Sequence, residues 1–270
     1  MDAKTLMTRP LAEPCPPPLR SIGAPRAPTG PESLQDLLRF LGEEPAGSWM
    51  LPAAAFPLRR IRRDHFLVVE GSHPEALYVV RFGTFKSLRV AEDGYEQVFG
   101  FSGPAEVIGF EGLAMGWHPA SVIALEDAAV HALPAGMLED LRHQVPALDH
   151  ALQRALGRQL ARRADLADLM AAVAAEVRLA RFLVQSSARA AEAGRSPRRL
   201  RLAMSRRDIA SYLGVAHETV SRAFGALSHA GYVDVNNRDV DVLDRPGLEA
   251  CARVTRGPGP TAMARSIVHH

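Results

Sequence analysis

Met204-Ser205-Arg206-Arg207-Asp208-Ile209-Ala210-Ser211-Tyr212-Leu213-Gly214-Val215, followed by Ala216-His217-Glu218-Thr219-Val220-Ser221-Arg222-Ala223-Phe224-Gly225-Ala226-Leu227, is the stretch that decides the fold. Ser205 suits an N-cap, and Asp208 stands three residues on as the acidic partner of a capping box. Ile209, Ala210 and Leu213 supply a buried face, and Gly214 ends the helix because it enters positive φ at little steric cost. A second helix then runs from His217, with Val220, Phe224 and Leu227 at i, i+4 and i+7. His217, Glu218, Ser221 and Arg222 fall on its other side. Two short helices across a tight turn make a helix-turn-helix, whose second helix fits the DNA major groove. Tyr232–Val235 and Val240–Leu243 around the turn Asn236-Asn237-Arg238-Asp239 read as strands of a wing. The exposed residue types suit base edges: Glu218 accepts from a cytosine amino group, Arg222 donates to guanine, and Ser221 bonds or touches a thymine. Glu218 and Arg222 are one turn apart and can also pair with each other. The plainer alternative is a surface ion pair on a packing helix. Cap, glycine break, core spacing and wing, with the basic approach Arg195, Arg198, Arg199 and Arg201, favour the DNA reader.

Working outward, Glu176–Ala193 is an amphipathic helix with Val177, Leu179, Ala180, Phe182, Leu183 and Val184 on its apolar side. Before it, 147–175 lacks proline and contains only Gly157. Leu148, Leu152, Leu156, Leu160, Leu166, Leu169, Met170 and Val173 recur there at helical spacing, opposite Arg154, Arg158, Arg162 and Arg163. Such a helix is about 40 Å long. Its leucines outrun the surface of a small neighbouring domain, so a dimer seam is favoured over packing on its own domain. Residues 56–133 read as short strands: Phe66–Val69, Leu77–Val80, Phe85–Val90, Val98–Phe101, Ser121–Leu125 and Ala129–Leu133. Gly71-Ser72, Gly83 and Asp93-Gly94 punctuate them, which points to a small barrel or sandwich. Residues 1–45 hold 9 of the 20 prolines. That arm cannot pack a core of its own, except for a short helix within 31–44 carrying Leu34, Leu37, Leu38 and Leu41 behind Ser33.

At 270 residues, 47% hydrophobic and 23% charged, the chain has the composition of about two globular domains. No apolar run reaches the 18 or more residues of a membrane span, and the first 20 residues lack a secretory apolar region, so a cytoplasmic location is expected. Cys15 and Cys251 cannot form a disulfide framework or a four-cysteine site within one chain. Net charge is +2 overall but unevenly divided. Residues 46–145 carry 8 Lys and Arg against 12 Asp and Glu, while 176–250 carry 12 against 9 and 251–270 carry 3 against none. A basic C-terminal half suits a polyanionic partner. No Gly-x-x-x-x-Gly-Lys-Ser/Thr loop, His-Glu-x-x-His or Gly-x-Ser-x-Gly is present, so an enzyme reading finds no support.

Residues 204–235 resemble the winged helix of the CRP/FNR transcription regulators, and His217-Glu218-Thr219-Val220-Ser221-Arg222 matches the Glu-x-x-Ser-Arg form of the FNR branch. The likeness extends over about 46–245. It includes Leu77-Tyr78-Val79-Val80 with Gly83, the Asp93-Gly94 hairpin, and Val107-Ile108-Gly109 followed by His118-Pro119-Ala120-Ser121. The implied fold is α+β: a Pro-rich arm (1–45), a β-roll sensor resembling a cyclic-nucleotide-binding domain (46–145), a dimerisation helix (146–175), a winged helix-turn-helix (176–250) and a disordered tail (251–270). The resemblance implies a homodimer acting on double-stranded DNA, most often as an activator that touches RNA polymerase, with Ala91–Gln97 at one such contact. The implied palindrome resembles TTGAT-N4-ATCAA. Glu218 and Arg222 would face its G·C pair and Ser221 a thymine, with His217 beside them. Arg206, Arg207 and Thr219 would hold phosphates.

The resemblance also frames what is sensed. Cyclic-nucleotide binders use an Arg beside a Ser or Thr to hold the ligand phosphate. The matching stretch Trp117-His118-Pro119-Ala120-Ser121 has no Arg, so tight cyclic-AMP binding is not expected. An FNR-type iron–sulfur cluster needs four thiolates. Only Cys15 lies in the arm, and the roll position carries His131, so the cluster is not expected either. Alternatives are haem on His65, His73, His118, His131 or Cys15, a thiol switch at Cys15 or Cys251, and control by abundance with no cofactor. A non-specific architectural DNA binder is the remaining alternative.

Overall fold

The computed structural model describes residues 33–44, 56 and 58–255. Cys15, the prolines of the arm and residues 256–270 lie outside the described residues. Two four-stranded antiparallel sheets form the roll. The first has the order β1-β8-β3-β6, with β1 Leu58–Ile61, β3 Ala76–Phe82, β6 Val107–Ile108 and β8 Ala128–Pro134. The second has the order β2-β7-β4-β5, with β2 Phe66–Val68, β4 Phe85–Val90, β5 Glu96–Ser102 and β7 Ser121–Ala124.

Strand β3 explains why Ala76-Leu77-Tyr78-Val79-Val80 is a continuous apolar run. Alternate residues point to opposite faces, and both faces are covered. Ala76, Tyr78 and Val80 enter the roll interior with Phe85, Val122 and Val130. Leu77 and Val79 face helices α1 (Leu34–Phe40), α2 (Phe110–Met115), α3 (Ala135–Gln144) and α4 (Pro146–Ala171), through Leu37, Leu113, Leu141, Leu148 and Leu152. Ser33 caps α1 through a capping box with Asp36, so the short helix expected in the arm is present and docked on the body.

Helix α4 partitions its apolar residues three ways, which revises the single-seam expectation. Leu148 and Leu152 are buried beneath α1 and the roll. Leu169 and, in part, Leu166 enter the core of the C-terminal domain. Leu156, Leu160, Met170 and Val173 remain exposed, at 39%, 60%, 40% and 74%. Periodicity reports which positions are apolar, not which neighbour covers them. The arginines of α4 are also largely spent inside the molecule. Arg154 pairs with Glu43 at 2.8 Å, Arg162 with Glu106 at 2.5 Å, and Arg163 with Glu111.

The C-terminal domain comprises α5 (Ala175–Glu192), β9 (Arg199–Arg201), α6 (Arg206–Leu213), α7 (His217–His229), β10 (Val233–Asn236), β11 (Asp239–Val242) and α8 (Arg245–Arg253). Strand β9 adds a third strand to the wing, in the order β10-β11-β9. Helix α8, capped by Asp244, carries ordered structure past residue 250, so 251–253 do not belong to a disordered tail. Cys251 is fully buried on α8 within the domain core. Buried Arg181 joins three elements: it donates to the Ala252 carbonyl at 2.7 Å, to Thr255 Oγ1 at 3.1 Å and to the Asp168 carbonyl.

Candidate nucleic-acid interface

Helix α6 begins as its sequence dictates. Ser205 Oγ accepts from the Asp208 backbone N–H at 3.1 Å, and Asp208 Oδ2 accepts from the Ser205 N–H at 2.8 Å and from its hydroxyl at 2.6 Å. Gly214 closes the helix at φ +63°. The turn needs glycine for its left-handed backbone, whereas the flexible Met170 Cε, 2.7 Å from where a Cβ would stand, could swing aside.

Helix α7 is then set across α6 by Val220, Ala223, Phe224 and Leu227, all buried. Its opposite face presents His217, Glu218, Ser221 and Arg222 to solvent. The four side chains expected to read bases therefore share one exposed face. Arg222 donates to Thr219 Oγ1 at 3.2 Å, so Thr219 orients the guanidinium. No Glu218–Arg222 ion pair forms among the described residues, and both charged ends remain available to a ligand. Ala216, the N-cap of α7, offers no side-chain acceptor, whereas Ser205 and Asp244 cap α6 and α8. The His217 and Glu218 amides of α7 thus have no side-chain cap, while those of Thr219 and Val220 donate to the Ala216 carbonyl at 3.0 and 3.2 Å.

Arg206 sits differently from the other phosphate candidates. It is half-buried, its guanidinium stacks 3.5 Å from the Phe224 ring centroid, and it donates to the Asn237 carbonyl in the wing turn at 2.8 Å. Burial pulls its pKa below the ordinary arginine value. It therefore straps the wing to α7, while Arg207 is exposed.

A contact that the sequence did not reveal fixes the reader against the roll. Lys86 on β4 bridges Glu96 at 2.7 Å and Asp208 at 2.8 Å. Ser211 on α6 donates to the Glu96 carbonyl at 2.7 Å and accepts from the Val98 N–H at 2.8 Å. Phe182 packs edge to face on Phe101 and Tyr212 beside it, and Phe101 and Tyr212 are tilted against each other, with centroids 5.2 to 6.3 Å apart. Burial alone would raise the Asp208 carboxyl, but hydrogen bonds from Lys86 and Ser205 hold it below its ordinary value. Burial alone would lower the Lys86 ammonium, but Asp208 and Glu96 raise it. Lys86 is one of only two lysines in the chain, and nothing in its local sequence marks its partner 122 residues away.

The sensor candidates do not converge. His131 is wholly buried on β8 beside the Phe56 carbonyl, and His118 is buried near Glu111, while His65 and His73 are exposed. Burial lowers the His118 pKa. Among the described residues no group of three or more His, Cys, Asp or Glu could hold a metal ion. Four thiolates cannot be assembled from a chain with two cysteines, one of them sealed in the C-terminal core, so the donor set does not fit an iron–sulfur cluster. A cavity of about 600 Å³ lies between the roll and α4. Arg89, Arg158, Arg162, Arg163 and Arg189 line it, a set that the local stretch 117–121 gave no sign of. Arg162 and Arg163 are held by carboxylates and Arg89 by the Pro119 carbonyl, which leaves few guanidinium groups free for a phosphate. No helix among the described residues is long and apolar enough to cross a membrane.

A roll joined through a long helix to a winged helix-turn-helix is the architecture of a DNA-binding regulator. Comparison with known proteins makes the class specific. The Crp-like helix-turn-helix domain family matches residues 177–251, and the cyclic nucleotide-binding domain family matches 58–144. Transcriptional activator protein anr of Pseudomonas aeruginosa is 35% identical over 194 residues, covering 72% of this chain and 79% of its own length. The fumarate and nitrate reduction regulatory protein of Escherichia coli K12 is 34% identical over 196 residues, covering 73% and 78%. The structure of FixK2 from Bradyrhizobium japonicum superposes with a TM-score of 0.65 at 28% identity, covering 74% of this chain and 98% of that one. The chain belongs to the CRP/FNR family of DNA-binding transcription regulators, which are not enzymes.

Proposed function

We propose that this chain is a homodimeric, sequence-specific transcription activator that reads a palindrome resembling TTGAT-N4-ATCAA without an iron–sulfur cluster or bound cyclic AMP. The observation that carries the reading is the outer face of α7, where His217, Glu218, Ser221 and Arg222 are exposed together and bonded only within their own helix. Arg222, oriented by Thr219, donates to guanine, Glu218 accepts from the paired cytosine, and Ser221 meets a thymine. Arg207, Thr219 and the uncapped amides of α7 take phosphates. Leu156 and Leu160, one turn apart and exposed on α4, supply the middle of the dimer seam. The seam would set two α7 helices about 34 Å apart, one turn of DNA. The exposed tip of the β4–β5 hairpin, 92–95, meets RNA polymerase, while Glu96 and Gln97 at its base hold the reader. The protein works in the cytoplasm, where its DNA is. Supporting a cofactor-free state are the two-cysteine donor set and the carboxylate-paired arginines of the roll cavity.

The test is a gel shift with the palindrome and a scrambled duplex at matched salt. Specific binding is expected to exceed non-specific binding by roughly 10³-fold or more. Equal affinity for both duplexes would support an architectural binder instead.

A further inference from the structure

A second cavity, of about 720 Å³, lies between the roll and the reader. Its volume falls within the roughly 300–1,000 Å³ typical of small-molecule sites. Six arginines line it: Arg158 and Arg162 from α4, Arg189 from α5, Arg195 from the following loop, and Arg199 and Arg201 from β9. Only Glu106 and Glu192 oppose them, a surplus of four positive charges around one cleft.

The local structure explains why so many cations converge. Residues two apart on a strand share a face, so Arg199 and Arg201 project together while Leu200 between them is buried. On α4, Arg158 and Arg162 are one turn apart. Arg154, Arg162 and Arg163 each have a carboxylate, but Arg158 has none among the described residues. The guanidinium groups of Arg195 and Arg201 likewise have no ion-pair or hydrogen-bond partner among the described residues, both residues being tied only through their backbones. Arg189 has a 3.4 Å bond to the Gln185 carbonyl of its own helix and shares the electrostatic field of Glu106 with Arg162. Arg199 lies 3.6 Å from an exposed Asp241. Phe40, Phe101 and Met204 add an apolar wall.

We propose that this cleft is a binding site for a small polyphosphate anion, contacted by Arg158 and Arg189 on one side and by Arg195 and Arg201 on the other. Guanidinium groups bind phosphate oxygens through paired, charge-assisted hydrogen bonds, and a ligand with several phosphates can satisfy several such groups at once. The cations come from both α4 and the reader, so the bound anion joins the two. No residue of α7 lines the cleft. It is also too small for duplex DNA, whose major groove alone is about 12 Å wide. It adjoins the cavity between the roll and α4, with which it shares Arg158, Arg162 and Arg189, but Arg195, Arg199 and Arg201 line only this one, and Arg89 and Arg163 only the other. The proposal does not depend on the palindrome or on activation, so a failed gel shift leaves it standing.

Isothermal titration of nucleic-acid-free, full-length protein with inorganic triphosphate, and separately with GTP, tests it. One saturable site per chain is expected for at least one probe. Comparable binding of both assigns recognition to the phosphates alone, and binding of GTP only adds the apolar wall. Arg195→Ala with Arg201→Ala together should weaken binding by about tenfold or more. Both side chains are exposed, and a circular dichroism melt checks that the fold is kept. Arg89→Ala should leave binding unchanged. The proposal is overturned if neither probe binds up to about 1 mM. It is equally overturned if Arg89→Ala abolishes binding while the double variant keeps it, which would place the anion in the roll. Loss of binding in Arg207→Ala together with full competition by duplex DNA would mean that the probe mimics a DNA backbone on α7, and would likewise overturn it.

Discussion

Helices α6 and α7 are neighbours of similar polarity, yet their polar groups have opposite fates. On α6, Asp208 is held by Ser205 and Lys86, and Ser211 by two backbone groups of β5. All six residues 208–213 are buried. On α7, the polar groups of His217, Glu218 and Ser221 find at most a weak contact within their own helix, and Arg222 bonds only Thr219. A polar group satisfied inside the molecule contributes to stability and position. One left exposed on a rigid scaffold is free to recognise something else. The comparison therefore assigns α6 to holding the reader and α7 to reading.

The largest expected effect acts on both helices at once. Leu156→Glu with Leu160→Glu should give a monomer by light scattering and weaken binding to the palindrome by about 10²-fold or more, because one half-site is lost. A dimer that persists would place the seam elsewhere. Lys86→Met should break the α6 side of the comparison, leaving Asp208 buried without its cation. A loss of roughly 1–3 kcal/mol in thermal unfolding is expected, with the preference between DNA sequences unchanged. The sign with pH follows from the two shifts. Asp208 lies below its ordinary 3.8, so its contribution is present above that pH and fades as pH falls through the lower folded value. Lys86 lies above 10.5, so its contribution is present below that pH and fades as pH rises through the higher folded value. The difference between wild type and Lys86→Met should stay flat from about pH 5 to 9 and shrink in acid, as measured by melts from alkaline pH down to below the ordinary Asp value of 3.8.

Arg206 and Arg207 sharpen the comparison further. Arg207→Ala should lower the salt dependence of binding by about one counterion. Arg206→Ala should weaken all sequences by roughly 1–2 kcal/mol through the loosened wing, with the salt slope unchanged. Equal salt slopes for the two variants would show that Arg206 reaches phosphate after all. The smallest effect concerns Cys251, whose thiol burial pushes up to about 11. In a Cys15→Ser background it should react with a thiol reagent at pH 7.5 only on unfolding, and fast labelling of the folded protein would reopen a thiol switch there.

Much of the reader was legible because its signals are local. The Ser205–Asp208 box, Gly214 and the Val220–Phe224–Leu227 spacing each act within a few residues, and each forms as expected. The roll was legible in its strands but not in its layering, since the continuous run at 76–80 implies cover on both faces without naming the helices that supply it. The remaining features depend on distant partners. Periodicity cannot divide the leucines of α4 among α1, the C-terminal core and solvent. An Arg at position 206 reads as a phosphate ligand, and nothing local in the sequence signals that Phe224 and Asn237 also hold its guanidinium. Helix α8 was missed because Asp244-Arg245-Pro246-Gly247 looks like a chain end when it is in fact an N-cap with proline in the first turn.

The decisive measurement crosses Arg222→Ala with palindromes in which the G·C pair is replaced. Wild type should lose about 1–3 kcal/mol on the altered duplex, whereas Arg222→Ala should bind altered and unaltered duplexes alike. If the variant still discriminates between them as wild type does, the outer face of α7 is not where sequence is read.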